Sequence, residues 1–149
     1  MHKIITWNVN SIGQRLTRLL ALLERAAPDV VCLQELKCID DKFPFAAIEA
    51  AGYHAAVYGQ KAFNGVALLS RQAPTEVRRG FEDGVDDPQA RFISARYGDL
   101  TVISVYVPNG QSVGSEKYFY KLNWLDRMRQ YLAEHHRPTD RLVVAGDFN

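Results

Sequence analysis

Strand-like and helix-like hydrophobic patterns alternate along the chain. Residues 3–7, "KIITW", are rich in β-forming side chains, and apolar residues then recur at three- and four-residue steps from Ile12 onward. This spacing is typical of one face of an amphipathic helix, which Pro28 would end. Asn10 or Ser11 is placed to cap that helix. The sequence therefore predicts a β-α opening.

Further strands follow, with one short helix between them. Residues 29–34, "DVVCLQ", form the continuous apolar run of a strand that is covered on both faces. A brief helix is predicted from Pro44 to Gly52. We expect four more strands to form an antiparallel meander, at residues 53–58, 65–70, 91–97 and 100–107.

A long helix is predicted near the end of the chain. Apolar positions recur at helical spacing between Ser115 and His135, and Pro138 separates them from a last strand at residues 141–146. The face that we expect to be buried consists of Phe119, Leu122, Leu125, Met128 and Leu132.

The length and composition of the chain indicate a single compact domain. The 149 residues are 47% hydrophobic, and 18 Lys and Arg against 17 Asp and Glu leave a net charge of +1. Any anionic partner must therefore be met by a local cluster of charge. Cys32 and Cys38 match neither a redox pair nor a zinc half-site. The chain has no signal-like or membrane-spanning apolar stretch, so we expect a reduced, cytoplasmic protein with no membrane partner.

Several predicted strands end in unusual polar residues. In layered α/β architectures, ligand-binding groups collect beyond the carboxyl ends of the strands. If the strands align, these groups face one cleft that is rich in hard oxygen ligands, which suit magnesium or manganese. The residues are Asn8, Glu35, Tyr106, Asn109, Asp147 and Asn149.

This set of side chains suits phosphoester hydrolysis. Magnesium takes only one or two protein carboxylates and leaves room for a phosphate oxygen, so Glu35 is enough as an anchor. Asp147 would orient or deprotonate the attacking water. Asn8, Asn149 and Tyr106 would donate hydrogen bonds to the phosphoryl oxygens as charge grows on them.

Each of these residues also has a purely structural interpretation. Glu35 would be a surface acid paired with Lys37. Asp147 and Asn149 would be turn and capping residues, where Asp and Asn are favoured. Tyr106 would be a half-buried aromatic side chain with its hydroxyl in solvent. Taken one residue at a time, the sequence leaves both interpretations open.

The motifs in combination resemble a known family. "TWNVN", "CLQELK", "GQKAFNGVALLS", "VRRGF", "VYVPNG" and "AGDFN" occur in the order and spacing of the N-terminal half of the exonuclease III and apurinic/apyrimidinic endonuclease family, part of the endonuclease/exonuclease/phosphatase superfamily. The resemblance covers essentially all 149 residues. It implies a DNase I-like α/β fold, a four-layer α-β-β-α sandwich whose mixed, mostly antiparallel sheets are flanked by helices.

The resemblance also implies a role for each motif residue. Glu35 would be the principal magnesium ligand, and Asn8 would lie beside the metal. Lys37 would support the Glu35 site without binding the metal itself. Tyr106 would contact the scissile phosphate, and Asp147 would handle the nucleophilic water. The residues implied to contact phosphate or DNA are Asn109, Asn149, Arg91, Arg78 and Arg79. For the three arginines a solvated charged face is the alternative.

The implied activity is that of a magnesium-dependent DNA-repair phosphodiesterase, with manganese as a second possible metal. It would cut double-stranded DNA 5′ to abasic sites and trim 3′ ends, and it would act as a monomer. Two alternatives stay open at this point. One is a catalytically silent folding or binding module. The other is a phosphoesterase of the same superfamily that acts on an inositol phosphate, a lipid head group or RNA.

Family members carry a second half, which supplies a further acid and an Asp-His pair. We therefore expect residues 1–149 to be the N-terminal half of a single domain, truncated after Asn149 and inactive alone. Because each half of a family member is expected to provide much of one sheet, we also expect an apolar sheet face to be left uncovered.

Overall fold

A computed structural model describes residues 2–149. Helices and strands alternate along these residues, and a short 3₁₀ helix spans Asp40–Lys42. The elements are β1 (Ile4–Asn8), α1 (Ile12–Ala26), β2 (Val30–Gln34), α2 (Phe45–Ala50), β3 (His54–Tyr58), β4 (Val66–Ser70), β5 (Glu76–Arg79), β6 (Phe92–Tyr97), β7 (Leu100–Tyr106), α3 (Glu116–His135) and β8 (Arg141–Asp147).

The first sheet has the strand order β1-β2-β4-β3. β1 and β2 are parallel and are joined through α1, while β4 is antiparallel to both β2 and β3. Every residue of β2 and β4 is buried. These central strands are covered on both faces, which explains why their sequences do not alternate between apolar and charged residues.

The second sheet has the order β5-β6-β7-β8. β6 is antiparallel to β5 and β7, while β7 and β8 are parallel and are joined through α3. Each sheet therefore contains one parallel pair linked by a helix. The edge strands β1 and β8 lie next to each other. The carboxyl ends of the two parallel pairs consequently point to one side of the molecule.

The elements form four layers, α-β-β-α. Leu19 of α1 packs on the outer face of the first sheet. Leu68 and Val102 belong to the cluster that fills the space between the two sheets. Trp124 of α3 packs with Phe92 on the outer face of the second sheet. The predicted sandwich is confirmed. The expectation of an uncovered sheet face is wrong, because both sheets are built from this chain and pack against each other.

The predicted antiparallel meander is also wrong. β3 pairs with β4 and β6 pairs with β7, but β4 and β6 belong to different sheets. Between them lies β5, an edge strand of sequence Glu-Val-Arg-Arg that was not predicted. A half-exposed edge strand needs no continuous apolar face, so its sequence carries little strand signal.

The predicted limits of α3 agree with the structure, but the predicted buried face is only partly correct. Phe119 and Leu122 are 59% and 46% exposed, whereas Trp124 and Tyr131 are buried. The two buried rings contact Phe81, and this contact sets the rotation of the helix. The large aromatic side chains therefore decide which face packs on the sheet.

The start of α1 agrees with the sequence. The Ser11 hydroxyl accepts a hydrogen bond of 3.4 Å from the Gln14 amide, as an N-cap side chain does. Among residues 2–149, no helix has both the length and the apolar character that crossing a bilayer requires.

Tyr97 is a buried phenol in the cluster between the sheets. Its side chain is 7% exposed, and its hydroxyl has no hydrogen-bond partner among the described residues. Burial raises the pKa of Tyr97 to about 12, because the phenolate would lose its hydration. The folded state thus favours the neutral phenol. The resulting stability is fully present below about pH 10, the ordinary pKa of tyrosine, and is lost as the pH rises towards the folded value.

Replacing Tyr97 by Phe is expected to reduce the alkaline loss of stability. One pKa unit corresponds to about 1.4 kcal/mol, so the phenol accounts for roughly 2 to 3 kcal/mol of that loss. The free energy of unfolding in urea, measured at neutral pH and above pH 11, checks this. Burial also raises the pKa of Cys32 to about 12, and its charge contributes to the raised pKa of Tyr97, so the comparison is repeated in a Cys32→Ala background. An equal alkaline loss in both proteins would contradict the assignment.

Candidate active site

Asn8 joins the two sheets at their carboxyl ends. It is the last residue of β1, while Glu35 directly follows β2 and Asp147 ends β8. The Asn8 Nδ2 donates a hydrogen bond to Glu35 Oε2 and a second one, of 2.9 Å, to Asp147 Oδ2. The two acids singled out from the sequence therefore meet at one point, although they come from different sheets.

Glu35 occupies a left-handed turn that begins where β2 ends. The φ angles of Glu35 and Lys37 are 56° and 57°, which is uncommon for residues other than glycine. The Leu36 amide donates to Gly65 O at 3.1 Å, and the Lys37 amide donates to Asn64 O at 3.0 Å. A Cβ on Gly65 would lie 2.9 Å from the Leu36 Cβ. The glycine thus allows the loop before β4 to hold this turn.

Lys37 lies beside the Glu35 carboxylate. Its Nζ is 3.8 Å from Glu35 Oε1 and donates a hydrogen bond to Asn10 Oδ1. The pair is partly exposed, so it adds little to stability. Its positive charge instead partly offsets the charge of the two neighbouring acids. The structure thus pairs Lys37 with Glu35, and the supporting role of Lys37 in the site stays a prediction.

Asp147 is held by the residues that surround it. Its backbone pairs with Tyr106 of β7. Its Oδ1 accepts a hydrogen bond of 3.0 Å from the Asn149 amide, and the Asn149 Nδ2 donates to Val107 O at 2.7 Å. Asn149 therefore orients Asp147 and closes the turn after β8. In this geometry its side-chain nitrogen is directed to the protein backbone rather than to a ligand.

Tyr106 lies half-buried near both acids. Burial, followed by the nearby Glu35 carboxylate, raises the pKa of its phenol above the ordinary value; Asp147 adds to this rise and Arg91 opposes it. The phenol is therefore neutral at physiological pH and has a proton to donate. The Arg91 guanidinium lies 4.7 Å from the centre of the Tyr106 ring, and Arg91 Nη1 donates to Tyr106 O at 3.1 Å.

A cleft of about 400 Å³ opens beside Glu35 and Tyr106. Its lining includes Arg91 and the exposed Asn109, whose contacts with phosphate or DNA stay predictions. The Arg91 Nε donates to Gln89 Oε1 at 2.8 Å, so Gln89 fixes the direction of the guanidinium. Further residues of the cleft had no predicted role. Phe63 and Asn64 belong to the motif "GQKAFNGVALLS", which matched the family without assigning them a task, and no motif contains Gln89, Glu116, Lys117 or Tyr120.

Arg78 and Arg79 are not brought to this cleft. They are neighbours in β5, so their side chains leave opposite faces of the sheet. Arg78 lines a separate depression with Tyr131 and His136 at the far end of α3. The Arg79 Nε donates to Val57 O at 2.8 Å. Of the three arginines predicted to contact DNA, only Arg91 lies beside the two acids.

The donor set at this edge fits a hard divalent cation. The carboxylates of Glu35 and Asp147 both accept hydrogen bonds from the Asn8 amide. Lys37 supplies one positive charge against the two negative charges of these acids. Magnesium needs no more than one or two carboxylates. Within residues 2–149 no group of three or more His, Cys, Asp or Glu side chains is placed to hold a metal ion.

The structure shows how the Asn8 amide is oriented beside the two acids; its predicted place at the metal stays a prediction. Its Oδ1 accepts a hydrogen bond of 3.0 Å from the Asn10 amide, so Nδ2 faces the two acids. An amide nitrogen donates protons and does not bind a cation. In this geometry Asn8 is therefore a hydrogen-bond donor to both carboxylates.

Comparison with known proteins points to one family. The model of the endonuclease/exonuclease/phosphatase family matches residues 5–149. The chain is 40% identical to exodeoxyribonuclease III of Haemophilus influenzae over 99% of its length. Its structure matches an AP endonuclease from Archaeoglobus fulgidus with a TM-score of 0.94 and 40% identity, over 99% of this chain. It also matches the Neisseria 3′ phosphatase NExo bound to a product DNA hairpin, with a TM-score of 0.93 and 41% identity, over 100% of this chain.

This chain is shorter than those proteins. It spans 57% of the Haemophilus enzyme, 57% of the Archaeoglobus chain and 58% of the Neisseria chain. The predicted resemblance to exonuclease III and the AP endonucleases is nevertheless confirmed over the whole of the matched region. The chain belongs to the endonuclease/exonuclease/phosphatase family.

Proposed function

We propose that the protein carrying this chain is a magnesium-dependent phosphodiesterase of DNA repair, which cuts double-stranded DNA 5′ to abasic sites and trims 3′ ends. One observation carries the proposal. Glu35 and Asp147, which come from different sheets, both accept hydrogen bonds from Asn8, and Glu35 lines a cleft together with Tyr106 and Arg91.

The similar proteins support the choice of substrate. Those reported above are named as an exodeoxyribonuclease, an AP endonuclease and a 3′ phosphatase bound to a product DNA hairpin. All three names describe enzymes of DNA, and one of them names a phosphatase that acts at 3′ ends. A DNA phosphodiester is therefore a better candidate than an inositol phosphate, a lipid head group or RNA.

Each residue of the site has a task in this reaction. Glu35, with Asp147 close by, would hold magnesium, which when bound supplies positive charge to a phosphoryl oxygen. Asp147 accepts the proton of the attacking water and orients it. The neutral Tyr106 phenol donates a hydrogen bond to a phosphoryl oxygen as charge grows on it. Arg91 contacts a phosphate from the wall of the cleft.

A nicking assay tests the proposal. The protein is incubated with a duplex that contains one abasic site, in magnesium or in an excess of chelator. We expect cleavage 5′ to the site in magnesium only. Cleavage in chelator, or hydrolysis of a non-nucleotide phosphoester alone, would contradict the proposed function. The same assay on residues 1–149 alone tests the expectation that this chain is silent. The cytoplasmic location and the monomeric state of the protein remain predictions.

Replacing Arg91 by Met is expected to weaken duplex binding and to lower its salt dependence. Each phosphate contact releases condensed counterions, so losing one contact reduces the slope of log K against log salt by about 1. Dissociation constants for an abasic duplex, measured in chelator over a range of salt concentrations, give this slope.

Arg78→Met is the matched control for that measurement. Arg78 has the same charge and length but lines a different depression, so its slope should stay at the wild-type value. Equal slopes for Arg91→Met and the wild type would remove Arg91 from the DNA-binding surface. A reduced slope in the Arg78 variant would instead extend that surface to β5.

A further inference from the structure

Two polar residues are buried between the sheets next to the candidate active site. Most of this space is filled by apolar side chains such as Val66 and Val102, which are fully buried. Gln34, which pairs with Val66, is 1% exposed, and Ser104 is 0% exposed. Buried polar groups are costly unless they are hydrogen-bonded, so the presence of these two calls for a physical reason.

The polar residues form a hydrogen-bonded bridge across the two sheets. The Gln34 Nε2, on β2, donates to Thr6 Oγ1 of β1 at 3.1 Å and to Ser104 Oγ of β7, also at 3.1 Å. The Ser104 Oγ in turn donates to Leu33 O at 3.1 Å. The bridge thus ties two strands of the first sheet to a strand of the second.

The bridge lies directly below the site residues. Alternate residues of a strand share a face, so Thr6 lies below Asn8 and Ser104 lies below Tyr106. Gln34 is the residue immediately before Glu35. Each strand of the bridge therefore ends in a residue of the candidate active site or is directly followed by one. These residues are Asn8 for β1, Glu35 for β2 and Tyr106 for β7.

Apolar contacts alone would not fix this arrangement. The hydrophobic effect is non-directional, so two apolar sheet faces can shift along each other at little cost. Hydrogen bonds prefer a narrow range of distances and angles, and a buried amide that loses its partners is strongly penalised. The Gln34–Ser104 bond joins two buried residues and therefore sets the spacing and register of the sheets where it lies. The bond to the exposed Thr6 adds a tie within the first sheet.

We propose that Gln34 is a positioning residue of the active site: by bonding Thr6 and Ser104 it holds Glu35 of the first sheet against Tyr106 and Asp147 of the second. The inference rests on the proposed function for its catalytic consequence, but not for its structural one. Gln34 touches no substrate and acts through the strand ends that it links.

The first test separates turnover from binding. Gln34→Met keeps a long side chain but removes the donor, and Cys32→Ala, two residues earlier on the same face of β2, is the control for a general core defect. We expect Gln34→Met to lower kcat for abasic-site incision by roughly 10- to 100-fold, because residues that support a site have effects of this size. KM for the duplex should change little, since Arg91 and the cleft stay in place.

The second test needs no activity. Hydrogen exchange is followed by NMR at the amides of Val9, Leu36 and Val107, which form backbone bonds beside Asn8, Glu35 and Asp147. In Gln34→Met these amides should exchange at least about tenfold faster than in the wild type, while amides in the middle of β2 and β7 change less. Cys32→Ala should not show this selective effect.

The outcomes distinguish the possible explanations. Unchanged kcat, or strand-end exchange equal to that in Cys32→Ala, would overturn the positioning role. If Gln34→Met does not fold, Ser104→Ala removes the same inter-sheet bond with a smaller change and carries both measurements. If the wild type does not incise abasic DNA, the proposed function fails, and the exchange measurement still decides the role of Gln34.

Discussion

Asp147→Asn is expected to lower kcat for incision of an abasic duplex by roughly 10²- to 10⁴-fold, the usual range for losing a general base. Asparagine has nearly the same shape, and its one oxygen can accept either the hydrogen bond from the Asn149 amide or the one from Asn8 Nδ2, but not both. It has no negative charge and does not take up a proton from water. The variant should therefore fold and bind DNA as the wild type does, yet turn over slowly.

Three measurements check this expectation: kcat and KM in saturating magnesium, the dissociation constant for the duplex in chelator, and the thermal midpoint. Glu35→Gln is measured beside it and should shift the magnesium requirement to higher concentration, because it removes one anionic ligand. Glu49→Gln and Asp126→Asn make the same chemical changes at exposed helix positions and should be silent. If Asp147→Asn had the same kcat as the wild type, Asp147 would be excluded as the general base.

The meeting of Glu35 and Asp147 was predictable from the sequence for a topological reason. Both follow apolar strands that enter parallel pairs through a connecting helix, and polar groups beyond such strand ends are brought to one side of a layered fold. The sequence also supplied Ser11 as the cap of α1 and the limits of α3, since these depend on local hydrogen bonding and periodicity.

Features that depend on tertiary packing were not predictable in this way. Whether β4 pairs with β2 or with a later strand is decided by which surfaces meet, and a short charged strand such as β5 gives no apolar pattern. The rotation of α3 follows from the fit of Trp124 and Tyr131 against Phe81, not from a count of apolar positions.

The orientation of polar side chains is also a tertiary property. From the sequence, Asn8 was predicted to be a metal ligand and Gln34 was only the polar end of an apolar run. In the structure the Asn8 oxygen is engaged by the Asn10 amide, and Gln34 reaches strands of both sheets. An amide side chain has both donors and an acceptor, so only its neighbours determine which group faces the site.

Arg127 of α3 anchors the loop that leads to Arg91. Its Nε and Nη2 donate to the two carboxylate oxygens of Asp83, at 2.7 and 3.1 Å, and its Nη1 donates to Asp87 Oδ2 at 3.0 Å. Asp87 also accepts a hydrogen bond of 2.8 Å from the Tyr120 hydroxyl. The Arg127 side chain is only 10% exposed, so solvent screens these interactions weakly.

Replacing Arg127 by Met is therefore expected to lower the free energy of unfolding by about 2 kcal/mol, because the half-buried Asp87 loses a charged donor while water can hydrate the exposed Asp83. Urea unfolding near neutral pH gives this value. The loop also carries Gln89, which orients Arg91, so KM for the duplex should rise while kcat changes less. Arg129→Met is the matched control: the exposed Arg129–Asp126 pair on the same helix should contribute less than about 0.5 kcal/mol.

The pH dependence distinguishes the loss of this ion pair from a simple packing defect. The hydrogen bond from Arg127 holds the pKa of Asp83 below its ordinary value. A lowered pKa in the folded state adds stability above about pH 4, the ordinary value for Asp, and that stability is lost as the pH falls through the folded pKa. The difference between the wild type and Arg127→Met should therefore shrink in acid. A difference that stays constant from pH 7 to pH 3 would instead assign the effect to lost contacts with the Phe81 ring, over which the guanidinium lies at 5.0 Å.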